Sequence, residues 1–128
     1  MVMIVTSSKP YGVIQGWLHE GDKIGIVSCN SCARICETGG RISMEETAER
    51  LTDDGFSVID KDLLPMCCNL DTVSKAEYFG DVLVVLACDA GVYTLQKLYP
   101  DKRILAALNT IGLGARGASG IIYMMKQF

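Results

Sequence analysis

The sequence predicts an α/β fold: a single domain over residues 1–128 with a Rossmann-like, three-layer arrangement around a mainly parallel sheet. Apolar runs of strand length alternate with helical segments of about ten residues, which is the pattern of parallel strands joined by crossover helices. The run Val82–Ala87 is apolar throughout, as expected for a strand covered on both faces. At 128 residues the chain is long enough to bury one core.

The first half of the chain begins with an extended arm or edge strand over residues 1–8. The following elements are predicted, in order, as a helix over Tyr11–His19, a strand over Lys23–Ser28, a helix over Ser43–Asp54 and a strand over Phe56–Ile59. Ser43 and Glu46 have the spacing of a capping box, and Gly55 is placed to end that helix.

The second half continues the alternation. The predicted elements are a helix over Asp71–Phe79, the strand Val82–Ala87, a helix over Val92–Tyr99, a strand over Arg103–Leu108 and a last helix or strand over Ile121–Phe128. Gly112–Gly117 matches G-x-G-x-x-G, but too few residues follow it for a βαβ unit, so it is interpreted as a flexible loop. Met124 and Met125 are interpreted as core or interface residues.

The composition excludes several classes of function. The net charge is −3 and the basic residues are scattered, which argues against nucleic acid and anionic membrane surfaces as partners. No apolar run approaches the roughly 20 residues of a membrane span, and no secretory signal is recognisable. We therefore expect a cytoplasmic protein, in which spaced cysteines indicate metal or redox chemistry rather than disulfides.

Six cysteines dominate the candidate functional residues. Cys29, Cys32 and Cys36 form C-x2-C-x3-C, and this crowding predicts a thiolate site for a metal or cluster. The two-residue gap brings two sulfurs to one centre from a tight turn, and the three-residue gap fits one face of a helical turn. Backbone N–H groups at a helix start also favour anionic sulfur.

A fourth ligand is expected from Cys68, Cys67 or Cys88. Cys29 and Cys88 each follow a predicted parallel strand, and ligands of open parallel sheets bind outside the carboxyl ends of the strands. The Cys67–Cys68 pair precedes a helix for which Asn69 is a candidate N-cap, and because neighbouring residues point apart, we expect one of the pair to face the centre.

Three functions fit these residues. Three local cysteines and a remote one suit a [4Fe–4S] cluster, with the chain acting as an electron-transfer protein rather than a catalyst. Four thiolates also suit Zn²⁺, and the chain would then be a zinc-stabilised interaction module. A thiol redox protein using Cys29 and Cys32 is the third possibility.

The motifs resemble a known family. The resemblance is carried by Ile4-Val5-Thr6 with Lys9-Pro10, by the cysteine triplet with Thr38-Gly39-Gly40, by Leu86–Val92 around Cys88, and by Ala107-Leu108-Asn109-Thr110 followed by Leu113-Gly114. In this order, over nearly the whole chain, they are similar to the MetV-type small subunit of bacterial methylenetetrahydrofolate reductase, which is also the C-terminal domain of some longer reductases. The family often has glycine where this chain has Asn30 and Asp89.

The resemblance implies an accessory subunit in one-carbon (folate) metabolism. Such a subunit carries a cluster that relays electrons to or from the flavin of a TIM-barrel catalytic partner, or that connects this partner to further electron-transfer subunits. Longer members have additional cysteines that are absent after Cys88 here. Any second metal site of those relatives is therefore not carried over to this chain.

Overall fold

The computed structural model describes residues 2–128 and confirms the α/β class. The strands are β1 (Val2–Ser8), β2 (Lys23–Cys29), β3 (Ser57–Leu64), β4 (Val82–Leu86), β5 (Arg103–Ala106), β6 (Leu108–Arg116) and β7 (Ile122–Gln127). The helices are α1 (Tyr11–Trp17), α2 (Cys32–Ile35), α3 (Gly40–Asp53), α4 (Leu70–Val73) and α5 (Asp89–Leu98).

Four strands form a parallel sheet in the order β3-β2-β4-β5. All five residues of β4 are buried, as the continuous apolar run predicts for a central strand. The edge strand β3 alternates half-buried with exposed residues and carries Asp60, Lys61 and Asp62. Charge on an edge strand discourages pairing with another chain.

The remaining strands form a separate antiparallel sheet in the order β1-β6-β7. The prediction of one mainly parallel sheet is therefore incomplete. The chain passes directly from one sheet to the other, because Ala107 alone separates β5 from β6. The backbone N–H of Ala107 donates to the carbonyl of Val85, and that of Lys9 donates to the carbonyl of Ala107. The second sheet thus extends from the carboxyl end of the first.

The interpretation of Gly112–Gly117 as a flexible loop is wrong for most of its length. Gly112 and Gly114 are buried within β6. A Cβ atom at Gly112 would lie 2.5 Å from the sulfur of Met124, and one at Gly114 would lie 2.5 Å from a methyl group of Val5. The glycines therefore make room for side chains of the two neighbouring strands, which is a common use of glycine in a sheet.

Helix boundaries differ from the predictions by up to three residues at α1, α3 and α5, and by more at α4. The helix predicted from Ser43 begins at Gly40, with Gly39 as N-cap, because a residue without a Cβ lets the chain pass close to the carbonyl of Leu86. The helix predicted over Asp71–Phe79 is the single turn α4. The segment after it begins with a turn and then has no regular secondary structure, and the N–H groups of Phe79 and Gly80 both donate to the Asp60 carboxylate.

None of the helices described over residues 2–128 combines the length and the apolar character needed to cross a membrane.

The buried position of Leu83 in β4 predicts how its truncation affects the stability of the protein. Leu83 has no exposed surface, so Leu83→Ala should lower the free energy of unfolding by about 3 kcal/mol, within the range for buried leucines. Urea denaturation measures this change. Ile42 is 75% exposed on α3, and Ile42→Ala should change the stability by less than ~0.5 kcal/mol. Equal effects at the two positions would contradict the buried location of Leu83.

Candidate thiolate site

The cysteines follow strands at a reversal of the strand order. From β2 the chain continues to β3 on one side, and from β4 it continues to β5 on the other side. Such a switch point leaves a crevice outside the carboxyl ends of the two central strands, where ligands of open α/β sheets bind. Cys29 is the last residue of β2, and Cys88 lies two residues after β4.

Five of the six cysteines line one small cavity in this crevice. Its volume is about 50 Å³, and its walls comprise Cys29, Ser31, Cys32, Ala33, Met66, Cys67, Cys68, Ala87, Cys88 and Gly91. No carboxylate or imidazole is among these residues. The cavity thus offers sulfur ligands in a largely apolar surrounding, and its volume is well below that of pockets for organic cofactors.

The loop that carries Cys67 and Cys68 connects β3 to α4. The backbone N–H of Asn30 donates to the carbonyl of Leu64 at 2.8 Å, which ties the end of β2 to the end of β3. Asn69 is confirmed as the N-cap of α4, because its side-chain oxygen accepts from the N–H of Thr72. Both cysteines of the pair line the cavity, Cys67 fully buried and Cys68 exposed.

Gly91 lets this loop approach α5. A Cβ atom at this position would lie 2.8 Å from the Cβ of Cys67 and 2.9 Å from the Cβ of Ala87, closer than side chains pack. The sequence does not indicate this role of Gly91. Its only signal is that a glycine lies in the first turn of a helix, shortly after a cysteine. The absence of a side chain here allows Cys67 to reach Cys29.

Cys29 is the cavity thiol whose pKa the surroundings lower. The Cys67 side chain donates a hydrogen bond to it, and the backbone N–H groups of Cys67, Ser31 and Ala33 are also directed at its sulfur. These hydrogen bonds outweigh burial and lower the pKa of the Cys29 thiol to about 6. Cys29 is therefore a thiolate at neutral pH, which is the form that binds metals.

The neighbouring thiols are shifted in the opposite direction. The hydrogen bond that Cys67 donates to Cys29 raises the pKa of Cys67, and burial adds to this shift. Burial also raises the pKa of Cys68, followed by the nearby sulfurs of Cys88 and Cys29. A lowered pKa at Cys29 beside raised pKa values at Cys67 and Cys68 is the expected pattern for crowded sulfur ligands before a cation neutralises them.

Cys36 lies outside the cavity. Its Sγ is 3.8 Å from the carbonyl oxygen of Ile4, to which it donates a weak hydrogen bond. Cys36 is the C-cap of α2, and its N–H donates to the carbonyl of Cys32, so it lies one helical turn beyond Cys32 at the end of α2 that is next to β1. The predicted triplet is thus divided, since Cys29 and Cys32 face the cavity and Cys36 faces β1.

The donor set suits a thiophilic group. Thiolates select iron–sulfur clusters, Zn²⁺ or Cu⁺ over harder cations. In residues 2–128, no three or more Cys, His, Asp or Glu side chains are arranged to hold a single metal ion. The thiols surround a cavity instead of converging on one point. All six cysteines are free thiols, so the ligands are chemically available.

Comparisons with protein-family models, with curated proteins and with solved structures found no match to this chain.

The thiol geometry predicts a titration near pH 6 in the reduced, metal-free protein. Thiolate absorbance at 240 nm should rise by one group as the pH passes about 6, because Cys29 ionises there. Cys67→Ala should move this step toward 9, the ordinary thiol value, since the hydrogen bond to the Cys29 thiolate is lost. Cys36→Ser should leave the step in place. A step that survives in Cys29→Ser would refute the assignment.

Proposed function

We propose that this chain binds an iron–sulfur cluster in the cavity at the ends of β2 and β4 and serves as an electron-transfer protein. The observation that carries the proposal is the meeting of five thiols from four separate segments at one crevice. The proposed ligands are Cys29, Cys32, Cys88 and one of Cys67 and Cys68. A [4Fe–4S] cluster uses four thiolates, so one cysteine of the cavity is left over.

The cluster is favoured over a single zinc ion. Zn²⁺ needs all four sulfurs about 2.3 Å from one point, whereas a cluster accepts sulfurs that are spread around its corners. The thiols line a cavity, and no three of them in residues 2–128 are arranged around a single metal ion, which supports the cluster over zinc. When bound, the cluster would supply one-electron chemistry. The N–H groups of Ser31, Ala33 and Cys67 would then tune its potential through hydrogen bonds to the Cys29 sulfur.

We also propose the setting in which the chain works. Its motifs resemble the MetV-type subunit of methylenetetrahydrofolate reductase, so the proposed partner is a flavin-containing catalytic subunit in the cytoplasm. The chain would relay electrons to or from this flavin without being a catalyst itself. The proposal includes a Rossmann-like, three-layer domain, because right-handed crossovers in the order β3-β2-β4-β5 put α3 on one face and α4 and α5 on the other.

A second candidate function is supported by the Cys29–Cys67 contact. A buried thiolate that accepts a hydrogen bond from a neighbouring thiol is the arrangement of a dithiol redox pair. The proposed redox pair is then Cys29 and Cys67 rather than the Cys29 and Cys32 that the sequence spacing suggests. A zinc-stabilised interaction module remains the third candidate.

Anaerobic purification with metal analysis separates these candidates. The cluster predicts brown protein with about four irons and four sulfides per chain. Stoichiometric zinc without colour would refute the cluster and support the interaction module. Protein without metal, in which mild oxidation joins Cys29 to Cys67, would support the redox pair.

Cysteine replacements then test the ligand set. Cys32→Ser and Cys88→Ser should each lower the bound iron several-fold or more, because each removes a cavity thiol. Cys36→Ser is the matched control and should retain iron, since Cys36 faces Ile4. Iron analysis and visible absorbance after reconstitution give the result. Loss of iron in Cys36→Ser with retention in Cys88→Ser would contradict the proposed ligands.

A further inference from the structure

The antiparallel sheet has an inward face that is turned to the rest of the protein. Met3 on β1 is 3% exposed, and the hydroxyls of Thr6 and Thr38 form a buried hydrogen bond of 2.7 Å. Gly114, which is directly opposite Met3 on β6, is buried on the same side. These contacts attach the inward face to the α2–α3 connection.

The other face of this sheet is apolar. Residues directly opposite each other on neighbouring antiparallel strands share a face. This rule gives the rows Val2–Ala115–Tyr123 and Ile4–Leu113–Lys126. Phe128 donates its N–H to the carbonyl of Ile111, and the alternation along β6 and β7 places both on the same side. The outward face thus consists of Val2, Ile4, Ile111, Leu113, Ala115, Tyr123, Lys126 and Phe128.

The outward face is open to solvent. Val2 is 66% exposed, Tyr123 57% and Phe128 65%, and the residues of the central strand are half-buried. Large contiguous apolar patches are uncommon on monomeric proteins and mark interaction sites. A three-stranded sheet with one covered face also gains stability when its second face is covered.

We propose that the outward face is the interface through which two copies of this chain pair face to face about a twofold axis. This inference is independent of the group that the cysteines bind. A symmetric interface uses the same patch on both copies, so the two copies of the patch must be able to pack against each other. The outward face meets this condition because Lys126 is its only charge. Lys126 lies on the edge strand β7, where its stem can bend toward solvent.

The size of the face fits a dimer. Aromatic residues bury roughly 150–250 Å² each when fully covered, and Tyr123 and Phe128 still expose 57% and 65% of their surface beside six further side chains of the face. Its area is therefore several hundred square ångströms, on the scale of the ~800 Å² per partner of a standard interface. Two sheets packed through such faces form a sandwich with a shared apolar core.

The free edge of β7 is less suited to pairing than its face. The pairing of β7 with β6 shifts register between Leu113 and Gly114, which leaves Met125 as an extra residue. A bulge bends and twists an edge strand, and proteins use this distortion to prevent the addition of further strands. The geometry thus favours packing of the outward faces over continuation of the sheet.

Sedimentation equilibrium of the reduced full-length chain over the micromolar range tests the pairing. Reducing conditions exclude a disulfide dimer through the exposed Cys68. The expected mass is twice the 13.9 kDa of one chain. Tyr123→Lys should weaken the dimer at least about tenfold, since it places two charges in the apolar interface. Tyr93→Lys is the matched control, because Tyr93 is 64% exposed on α5 and should leave the dissociation constant unchanged.

Val2→Lys on the opposite edge strand should weaken the dimer as Tyr123→Lys does, and it replaces that variant if circular dichroism shows that Tyr123→Lys fails to fold. A chain that is monomeric throughout this range overturns the proposal, as does equal weakening by Tyr123→Lys and Tyr93→Lys. A monomer that binds a different protein through Tyr123 also overturns it, because the face then has another partner.

Discussion

Strands β2 and β4 lie side by side, and the chain leaves their carboxyl ends in opposite directions. This divergence opens the crevice in which the thiols meet, and the remaining features follow from it. Cys29 is the last residue of β2, and Cys88 lies two residues after the end of β4. The loop after β3 brings the Cys67–Cys68 pair beside them, and the first residue of α2 contributes Cys32. Cysteines that are distant in sequence thus become neighbours in the fold, although no single motif contains them all.

Close packing and backbone N–H groups make this crevice suitable for thiolate ligands. Gly91 removes the side chain that would keep the Cys67 loop away from α5, and the short α2 directs N–H groups at Cys29. The hydrogen bonds lower the pKa of Cys29, the bond to Cys29 together with burial raises the pKa of Cys67, and burial raises the pKa of Cys68. A bound cation would deprotonate these neighbours, so metal binding and proton release are coupled. The antiparallel sheet begins at the carboxyl end of the parallel sheet, where the crevice also lies. Its apolar face points away from the crevice. The structure therefore separates the proposed cofactor site from the proposed dimer interface.

The sequence predicts the parallel sheet well because its signals are local. The apolar run of β4 and the cysteines after β2 and β4 are visible without any partner strand. The second sheet is missed because its pairing is long-range: Gly112 and Gly114 resemble a loop until β1 and β7 supply the side chains that cross them. The position of Cys36 also depends on long-range packing. Its spacing from Cys32 predicts one helical turn, which the structure has, but only the position of β1 shows that the Cys36 thiol lies next to Ile4.

The most direct test of the account is a crystal structure of the anaerobically reconstituted protein with anomalous diffraction data recorded at the iron absorption edge. We expect a strong iron peak in the cavity, with density to Cys29, Cys32, Cys88 and one of the Cys67–Cys68 pair. An iron peak held by Cys36, or a cavity in which zinc alone gives the anomalous signal, would contradict it.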